Sequence, residues 1–389
     1  MNTRPWFAAV ALSFLIAITA CGGTGINGTS STSGSPTVTS VAVSCTPATI
    51  APGATSQCTA TVQGTGSYSS AVAWSASAGT IGTTGLFTAP AVAGTVTASA
   101  TSTQNSSKSG STSIAVQLRI PSSKHVVMVM EENQSYSTVV GNTTDWPALN
   151  SLITSGALPT SYYADAHPSI GNYFMLTTGQ LLTTNDKSTR IWSTDNIARH
   201  MVSAGVTFRV YAEGITQGYL GGNTGVYLIR HNPFAMLSDV ADSQQMAKAV
   251  IWPFTQFASD LANGTLPEFS YIIPDIDDDA HTGTPHQADT WLESNVVSPL
   301  SNNAAFQPGG DGVLIVDFDE AATSDTSHGG GHVAPVLWGP IVQAGYQQSS
   351  ATVYQHESML RTVMEMLRLP GPPGAAANAP DMPEFFTQK

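Results

Sequence analysis

The second part of the chain alternates between short apolar runs and segments with helical periodicity. The apolar runs lie at 125–130, 207–211, 269–273, 312–316 and 336–342. Near-continuous apolar strands separated by helices are typical of a parallel sheet that is covered on both faces. We therefore predict one α/β domain over residues 119–389, with a mostly parallel sheet and helices on both faces. In such sheets, functional side chains gather beyond the carboxyl ends of the strands.

A different pattern fills residues 36–118, where short β-prone runs are separated by Gly, Ser and Thr turns at even spacing. This pattern is typical of a β-sandwich, with Trp74 as a candidate core residue. The segment resembles the bacterial Ig-like domains, and it contains no His, Asp or Glu. We therefore expect it to serve spacing or adhesion. Cys45 and Cys58 lie in β-prone flanks of a turn-rich segment, and export would favour a disulfide between them.

The first residues have the composition of a targeting segment. A short basic region at Arg4 precedes an apolar run, which ends in Ile-Thr-Ala-Cys-Gly at 18–22. This ending resembles the lipobox of bacterial lipoproteins, in which the cysteine becomes lipidated. We predict a lipoprotein signal peptide over 1–21 and a flexible Gly/Ser/Thr tether over 22–35. Lipidated Cys21 would anchor the exported protein to a bacterial membrane. The alternative is an ordinary signal peptide with a chance cysteine.

Composition narrows the choice of partners. The chain has 389 residues and is 41% hydrophobic, which suits globular domains. Its formal net charge of −13 argues against nucleic acid, because phosphate backbones are bound by Lys and Arg surfaces. A strongly acidic protein that handles anionic substrates needs a bound cation to reverse the local field.

Polar side chains follow three of the predicted strands. Glu131, Glu132 and Asn133 follow the first, 275–281 contains acidic residues and His281, and 317–320 reads Asp-Phe-Asp-Glu. Carboxylate, amide and imidazole ligands suit a divalent cation, which would polarise a phosphoryl oxygen.

Each of these clusters also has a structural interpretation. The Asp277–Asp279 run fits a solvated turn, and Glu131 is expected to face outward because neighbours on a strand point opposite ways. His286 and Asp289 lie before Trp291 and Leu292 and fit the cap of the helix that contains them. His328 and His332 fit a flexible Gly-rich loop.

A candidate nucleophile lies in the stretch 166–179. Pro168 and Gly171 predict a tight turn that opens a helix, and Gly179 closes the apolar run. A hydroxyl at such a turn lies where backbone N–H groups favour an anion, which makes Ser169 the candidate. The alternative is that Ser169 only caps the helix.

Four motifs in this order resemble one known family. The segment 124–136 resembles the opening motif of the bacterial phosphoesterase family, an apolar strand followed by Glu-Asn-x-Ser-Phe. Residues 354–370 are similar to its His-x-Ser-x-Leu-Arg-Thr-x-x-Glu helix. Asp319-Glu320 with the following Gly-rich loop matches its late metal-binding segment, and the Ser169 turn completes the series. The family contains phospholipases C and acid phosphatases.

The resemblance implies an alkaline-phosphatase-like fold and a set of roles. Ser169 matches the nucleophile, and its Ser-Ile-Gly-Asn setting, which includes Asn172, resembles the Thr-x-Pro-Asn turn of nucleotide pyrophosphatases. The matched ligands of a divalent metal are Glu132, Asn133, Asp319 and Glu320. Sulfatases share the fold, but their Cys/Ser-x-Pro-x-Arg motif is not present here.

The remaining matched residues concern proton transfer. His281 lies where relatives have a histidine that protonates the leaving group or ligates a second metal, with Asp275 as its acidic companion. His356 either completes the site or orients the C-terminal helix. The mechanism implied is attack by Ser169 on a phosphate ester, followed by hydrolysis of the phosphoserine.

Three hypotheses about the function of the chain differ in the ligand and in whether it is hydrolysed. The compact domain and the His-Pro-Ser-x-x-Asn-Tyr turn favour an acid-phosphatase-like phosphomonoesterase. The first alternative is a phospholipase C-like phosphodiesterase. The second is an inactive surface lipoprotein that only binds ligands, which would hold no metal.

Overall fold

The computed structural model describes residues 35–90 and 92–388. The predicted signal peptide and Cys21 lie outside the described residues. Within the described ranges, no helix is both long and apolar enough to cross a bilayer.

Residues 37–116 form two four-stranded sheets. Their strands are β1 (Thr37–Thr46), β2 (Thr49–Ile50), β3 (Thr55–Thr65), β4 (Val72–Ala76), β5 (Thr80–Ile81), β6 (Leu86–Thr88), β7 (Gly94–Ser102) and β8 (Ser109–Val116). The orders are β1-β3-β6-β5 and β2-β8-β7-β4. Buried residues of both sheets share one core, against which Trp74 packs half-buried. The Ig-like assignment stays a prediction.

The predicted disulfide is confirmed. Cys45 and Cys58 are bridged, and they face each other directly in the antiparallel pairing of β1 with β3. Both residues are buried in the shared core, so the bridge ties neighbouring strands together at the centre of this region.

The rest of the chain combines one eight-stranded sheet with helices. The strands are β9 (Val126–Glu131), β10 (Ala157–Leu158), β11 (Phe208–Ala212), β12 (Ile251–Pro253), β13 (Phe269–Ile273), β14 (Val313–Phe318), β15 (Val336–Trp338) and β16 (Tyr346–Gln347). The α-helices are α1 (Tyr136–Val139), α2 (Pro147–Ser155), α3 (Ile170–Thr178), α4 (Ile197–Ala204), α5 (Ser238–Ala241), α6 (Gln244–Val250), α7 (Thr255–Asn263), α8 (Pro285–Leu292), α9 (Ser298–Ser301) and α10 (His356–Met366). Short 3-10 helices include Ile229–His231 and Pro233–Met236.

The sheet is parallel at its centre and mixed at one side. Its order is β12-β11-β13-β9-β14-β15-β10-β16, and the pairs from β12 to β14 are all parallel. Every residue of β9, β13 and β14 is buried, which requires cover on both faces of the sheet. The predicted run at 336–342 forms only a short strand, β15, and it pairs antiparallel with β14.

The strand order determines where the site lies. Strands β13, β9 and β14 are neighbours, and their parallel pairing brings their carboxyl ends to the same edge. The polar residues that follow these three strands therefore meet beyond that edge.

Candidate active site

Ser169 stands at the N-terminus of α3 without acting as an ordinary cap. Its side chain makes no capping hydrogen bond to the described part of α3. The Ser169 Oγ instead donates to Glu132 Oε2 at 3.3 Å, and the residue is only 2% exposed. The alternative that Ser169 merely caps its helix therefore does not account for its hydroxyl.

The turn before Ser169 is held by Asn172. The Asn172 Oδ1 accepts the N–H groups of Asp165 and Ala166 at 2.9 and 3.0 Å, and its Nδ2 donates to the Ala166 carbonyl at 2.8 Å. Both ends of this buried amide are thus bound to backbone. Asn172, predicted as a site residue, is placed to shape the turn that presents Ser169.

The four predicted metal ligands lie together beside Ser169. Asp319 Oδ1 accepts the backbone N–H groups of Asn133 at 3.0 Å and Glu320 at 2.6 Å. The Asn133 side-chain amide donates to Glu132 Oε2. Asn133 has a φ of 56°, a left-handed conformation that Asn tolerates better than most residues and that is frequent at functional sites.

Burial and mutual repulsion perturb these carboxyl groups. Burial raises the pKa of Asp319 well above its usual value, and the charges of Glu132 and Glu320 raise it further. Burial also raises the pKa of Glu320 to about 7, against the opposing pull of His167. His167 Nδ1 lies 2.9 Å from Glu320 Oε2. Crowded buried carboxylates of this kind are stable when a cation lies among them.

The donor set fits a hard divalent cation. It offers carboxylate, amide and hydroxyl oxygens, which such ions prefer. Asp319 Oδ2 is buried without a hydrogen-bond partner among the residues described, so this oxygen is free to bind an ion.

His231 and Asp279 extend the site beyond the predicted residues. His231 Nε2 lies 2.6 Å from Glu132 Oε1, and its Nδ1 lies 3.3 Å from Asp279 Oδ2. The three residues bring one donor atom each within 4.8 Å of one another. Tyr173 stacks on the His231 ring and donates its hydroxyl to Glu132 Oε1 at 3.1 Å.

The charges of this group are complementary. Burial lowers the pKa of His231, but the neighbouring charges of Glu132 and Asp279 outweigh burial and raise it to about 9. Burial likewise raises the pKa of Glu132, but His231 reverses the effect and lowers it to about 2. The two carboxylates therefore favour the protonated form of His231. The sequence around position 231 contains no motif that identifies His231 as a site residue. Asp279, in contrast, belongs to the acidic run that the sequence singled out. Within that run, Asp277 is the exposed residue that fits a solvated turn.

His281 contacts a different partner from the one predicted. Arg230 Nη2 donates to His281 Nε2 at 2.8 Å. Because a guanidinium is always protonated, that histidine nitrogen carries a lone pair here. The carboxylate beside His281 is Asp279, whose Oδ1 accepts the His281 backbone N–H at 2.8 Å.

Asp275 belongs to another cluster. Its Oδ1 accepts the backbone N–H groups of Asp277 and Asp278, and it groups with Glu213 and Asp278. Asp275 is therefore not the companion of His281. Its carboxylate is bound to the turn that follows it, and Asp279, four residues further along the chain, contacts His281 instead.

His356 connects two elements that frame the site. Its Nδ1 lies 2.9 Å from Asp165 Oδ2 and its Nε2 lies 3.0 Å from the Phe318 carbonyl. Burial lowers the pKa of His356, but Asp165 and Asp317 outweigh it and raise the value to about 9. Of the two predicted roles, the geometry matches orientation: His356 fixes the start of α10 against the end of β14.

Two predictions about neighbouring residues are wrong. Glu131 is fully buried rather than outward-facing, because both faces of β9 are covered, and its carboxylate has no partner within the described chain. Burial raises its pKa well above the usual value. Asp289 does cap a helix, but it is α2, whose N–H groups at Ala148 and Leu149 it accepts.

The Gly-rich loop places its two histidines beside tyrosine rings. His332 stacks between Tyr136 and Tyr163, with ring centroids 4.2 and 4.7 Å away. Tyr163 in turn packs against His328 at 4.2 Å. His332 therefore lies half-buried in an aromatic stack, whereas His328 is exposed beside it.

Known proteins resemble this chain over the same region. A model of the Phosphoesterase family matches residues 142–370. A phosphatidylinositol-3-phosphatase of Mycobacterium tuberculosis is 30% identical over 270 residues, which cover 69% of this chain and 84% of that protein. An acid phosphatase of Aspergillus fumigatus is 29% identical over 232 residues, covering 56% of this chain and 50% of the fungal protein. The chain thus spans half the length of that fungal relative.

Solved structures resemble the chain more distantly. A member of the alkaline phosphatase superfamily from Vibrio parahaemolyticus has a TM-score of 0.44 at 13% identity and covers 63% of this chain and 66% of that one. The lipoteichoic acid synthase LtaP of Listeria monocytogenes has a TM-score of 0.43 at 8% identity, covering 66% and 75%. Both scores are too low to identify the fold by themselves.

Proposed function

The chain belongs to the Phosphoesterase family and is a hydrolase of phosphoric esters, and we propose that it is a metal-dependent phosphomonoesterase acting through a phosphoserine at Ser169. One observation carries the proposal. The Ser169 hydroxyl does not cap α3 but faces Glu132 at the edge where the carboxylates converge. A buried hydroxyl so placed suits nucleophilic attack rather than helix capping.

The reaction has two steps. Ser169 Oγ forms a bond to phosphorus as the bond from phosphorus to the ester oxygen breaks. The Ser169 hydroxyl releases its proton to solvent, and the departing oxygen takes up a proton. Water then attacks the phosphoserine, which releases inorganic phosphate and restores the hydroxyl. Rigid support of Ser169 by the Asn172 turn keeps the oxygen aligned for both steps.

Glu132, Asn133, Asp319 and Glu320 are the residues that would hold a divalent cation. Such an ion, when bound, lowers the pKa of a coordinated hydroxyl and offsets negative charge on the phosphoryl oxygens. His231 and Asp279 support this set, because they hold the Glu132 carboxylate in one orientation. The alkaline-phosphatase-like fold implied by the sequence motifs is part of the same proposal.

His281 is our candidate for the proton donor. In the free protein its Nε2 accepts from Arg230 and carries no proton. That nitrogen therefore serves the leaving oxygen only after Arg230 has turned away and Nε2 has taken up a proton from solvent. The hydrogen bond from the His281 backbone N–H to Asp279 holds the His281 backbone in place.

Relatives favour a phosphomonoester as substrate. The Mycobacterium tuberculosis relative is named for a lipid phosphomonoester, and the fungal relatives are named as acid phosphatases. We propose that this chain acts on the same class, either as small molecules or as phospholipid headgroups.

We also propose that the protein is exported and anchored to a bacterial membrane through lipidated Cys21. The lipobox-like ending at 18–22 supports this location. The bridge between Cys45 and Cys58 supports it independently, because disulfides persist in oxidising compartments.

The test measures hydrolysis by the full chain. Substrates are p-nitrophenyl phosphate, bis(p-nitrophenyl) phosphate, and vesicles containing phosphatidylinositol 3-phosphate or phosphatidylcholine, each with and without chelator. The proposal predicts chelator-sensitive cleavage of the monoesters, lost in Ser169→Ala. The matched control is Ser270→Ala, which removes a buried hydroxyl that makes no hydrogen bond within the described structure. Faster hydrolysis of a diester than of the monoesters would contradict the monoesterase proposal and indicate a phospholipase C-like phosphodiesterase.

A further inference from the structure

Arg230 lies beside the Ser169 site with unused hydrogen-bonding capacity. Its side chain is 15% exposed, and Nη2 donates to His281 Nε2 at 2.8 Å. The Arg230 Nε is 3.5 Å from Asp186 Oδ2 and has no hydrogen-bond partner among residues 35–90 and 92–388. A guanidinium has five N–H donors, so most of this group is available to a ligand.

Other arginines of the chain differ in this respect. Arg199 donates from both Nε and Nη2 to Asp239 at 3.0 Å, and Arg361 donates from Nε to Glu365 at 2.9 Å. Those guanidinium groups are neutralised by close, charge-assisted hydrogen bonds. Asp186 is farther from Arg230 than a normal hydrogen bond allows, so it attracts the guanidinium without occupying its donors.

A first route of contacts links Arg230 to the nucleophile. Asp186 Oδ1 accepts the backbone N–H of Ile170 at 3.2 Å, and Ile170 directly follows Ser169. Asp186 therefore binds the start of α3 with one carboxylate oxygen and faces Arg230 with the other.

A second route reaches Arg230 from the carboxylate side. The ring of His281, which Arg230 contacts, lies 5.9 Å from the ring of His231. His231 lies 2.6 Å from Glu132, and Glu132 accepts from Ser169. Two routes of contacts thus join Ser169 to Arg230, one through Asp186 and one through the two histidines.

The negative charge around Ser169 makes a nearby cation important for substrate binding. Glu132, Asp319 and Glu320 surround the hydroxyl, and a phosphomonoester brings two further negative charges at neutral pH. Repulsion between these groups opposes binding unless cations face the phosphoryl oxygens. A planar guanidinium can donate to two phosphoryl oxygens at once, which a lysine cannot do.

We propose that Arg230, positioned by Asp186, binds the phosphoryl oxygens of the substrate and favours the dianionic monoester over the diester. This inference rests on the proposed function, because it requires a phosphoryl group to be bound at Ser169. When Arg230 turns to the phosphoryl group, it withdraws its N–H from His281 Nε2. Arg230 is then a specificity-determining residue, and His281 Nε2 becomes free to take up a proton from solvent and to face the leaving oxygen.

The first experiment measures phosphate binding without turnover. Isothermal titration of inorganic phosphate into full-chain Ser169→Ala, with a divalent cation present, gives the reference Kd. Adding Arg230→Gln should raise this Kd roughly 10- to 100-fold. Arg230→Lys should raise it by a smaller factor, because Lys keeps the charge but loses the two-pronged contact. Lys187→Gln removes an exposed cation next to Asp186 and should change Kd less than about 2-fold.

The second experiment uses the active chain. Arg230→Gln should lower kcat/KM for p-nitrophenyl phosphate roughly 100-fold and for bis(p-nitrophenyl) phosphate by less than about 10-fold. Asp186→Asn should act mainly on KM, because it loosens the position of Arg230 and leaves the nucleophile in place. If Arg230 had only a structural role, its replacement would lower kcat/KM by the same factor for both substrates.

The outcomes separate this inference from the proposed function. Unchanged phosphate affinity in folded Arg230→Gln, or in Arg230→Lys if the first variant does not fold, overturns the inference and leaves the phosphatase proposal intact. Arg230-dependent phosphate binding in a parent protein that hydrolyses no ester supports the inference and overturns the proposed function.

Discussion

His231 Nε2 and Glu132 Oε1 lie 2.6 Å apart in the buried interior, beneath the hydroxyl of Ser169 that the same carboxylate accepts. The histidine is held from its other side by Asp279 and is stacked on Tyr173. One carboxylate thus joins the proposed nucleophile to a cationic support. These contacts of Glu132 with His231 and Ser169 are therefore made by buried residues.

Removal of that support should weaken metal binding. In His231→Gln, the Glu132 carboxylate loses its charged partner and its fixed orientation, so affinity for the divalent cation should fall roughly 10- to 100-fold. Competition with a metal-binding dye measures this change. His286→Gln, which alters an exposed histidine of α8, is the control. Equal metal affinity in both variants would show that His231 does not support the ligand set.

Loss of His281 should depend on the leaving group. If His281 protonates the departing oxygen, His281→Ala should slow hydrolysis of an alkyl phosphate by roughly 100-fold or more. An activated aryl ester such as p-nitrophenyl phosphate needs little protonation and should be much less affected. Steady-state kcat for the two esters gives the comparison. An equal loss on both would assign His281 a structural role.

The pair of His356 and Asp165 should make stability depend on pH. Folding raises the pKa of His356 from 6.5 to about 9, so its contribution is fully present below 6.5 and is lost as pH rises through about 9. Linkage over this range amounts to roughly 3 kcal/mol. Urea unfolding at pH 6 and at pH 10 should therefore show a smaller pH dependence in His356→Gln than in the parent chain. A parallel pH dependence of the two proteins would contradict the assignment.

The disulfide should stabilise the N-terminal sheets without affecting catalysis. Cys45 and Cys58 are 13 positions apart in the sequence, so replacing both by Ser should cost roughly 3 kcal/mol of unfolding free energy in that region. Differential scanning calorimetry reports the change as a lower unfolding temperature of this region. Phosphatase activity of the folded double variant should remain at the parent level. A proportional loss of activity would mean that the N-terminal sheets contribute to the catalytic site.

The sequence predicted the centre of the molecule well for a physical reason. Strands buried on both faces, such as β9, β13 and β14, have to be apolar throughout, so composition alone reveals them. Their carboxyl ends then locate Glu132 and Asp319. The short β15 pairs antiparallel, and its apolar residues do not encode that direction.

Other parts of the site depend on tertiary contacts that no local pattern records. His231 lies in a three-residue 3-10 helix with no motif around it, and only its contact with Glu132 identifies it. Asp275 and Asp279 look alike in an acidic run, and the fold of one turn decides which of them lies beside His281. For Glu131, the alternation of side chains along a strand predicts exposure to solvent. That prediction fails because both faces of β9 are buried.

The central claim is that Ser169 becomes phosphorylated, and acid quenching tests it most directly. The full chain, supplied with a divalent cation and p-nitrophenyl phosphate, is quenched in acid during turnover and digested for mass spectrometry. The account predicts one phosphoryl group on the peptide that contains Ser169 and none on that peptide in Ser169→Ala. Sustained turnover with an unmodified Ser169 peptide, or undiminished turnover by Ser169→Ala, would contradict it.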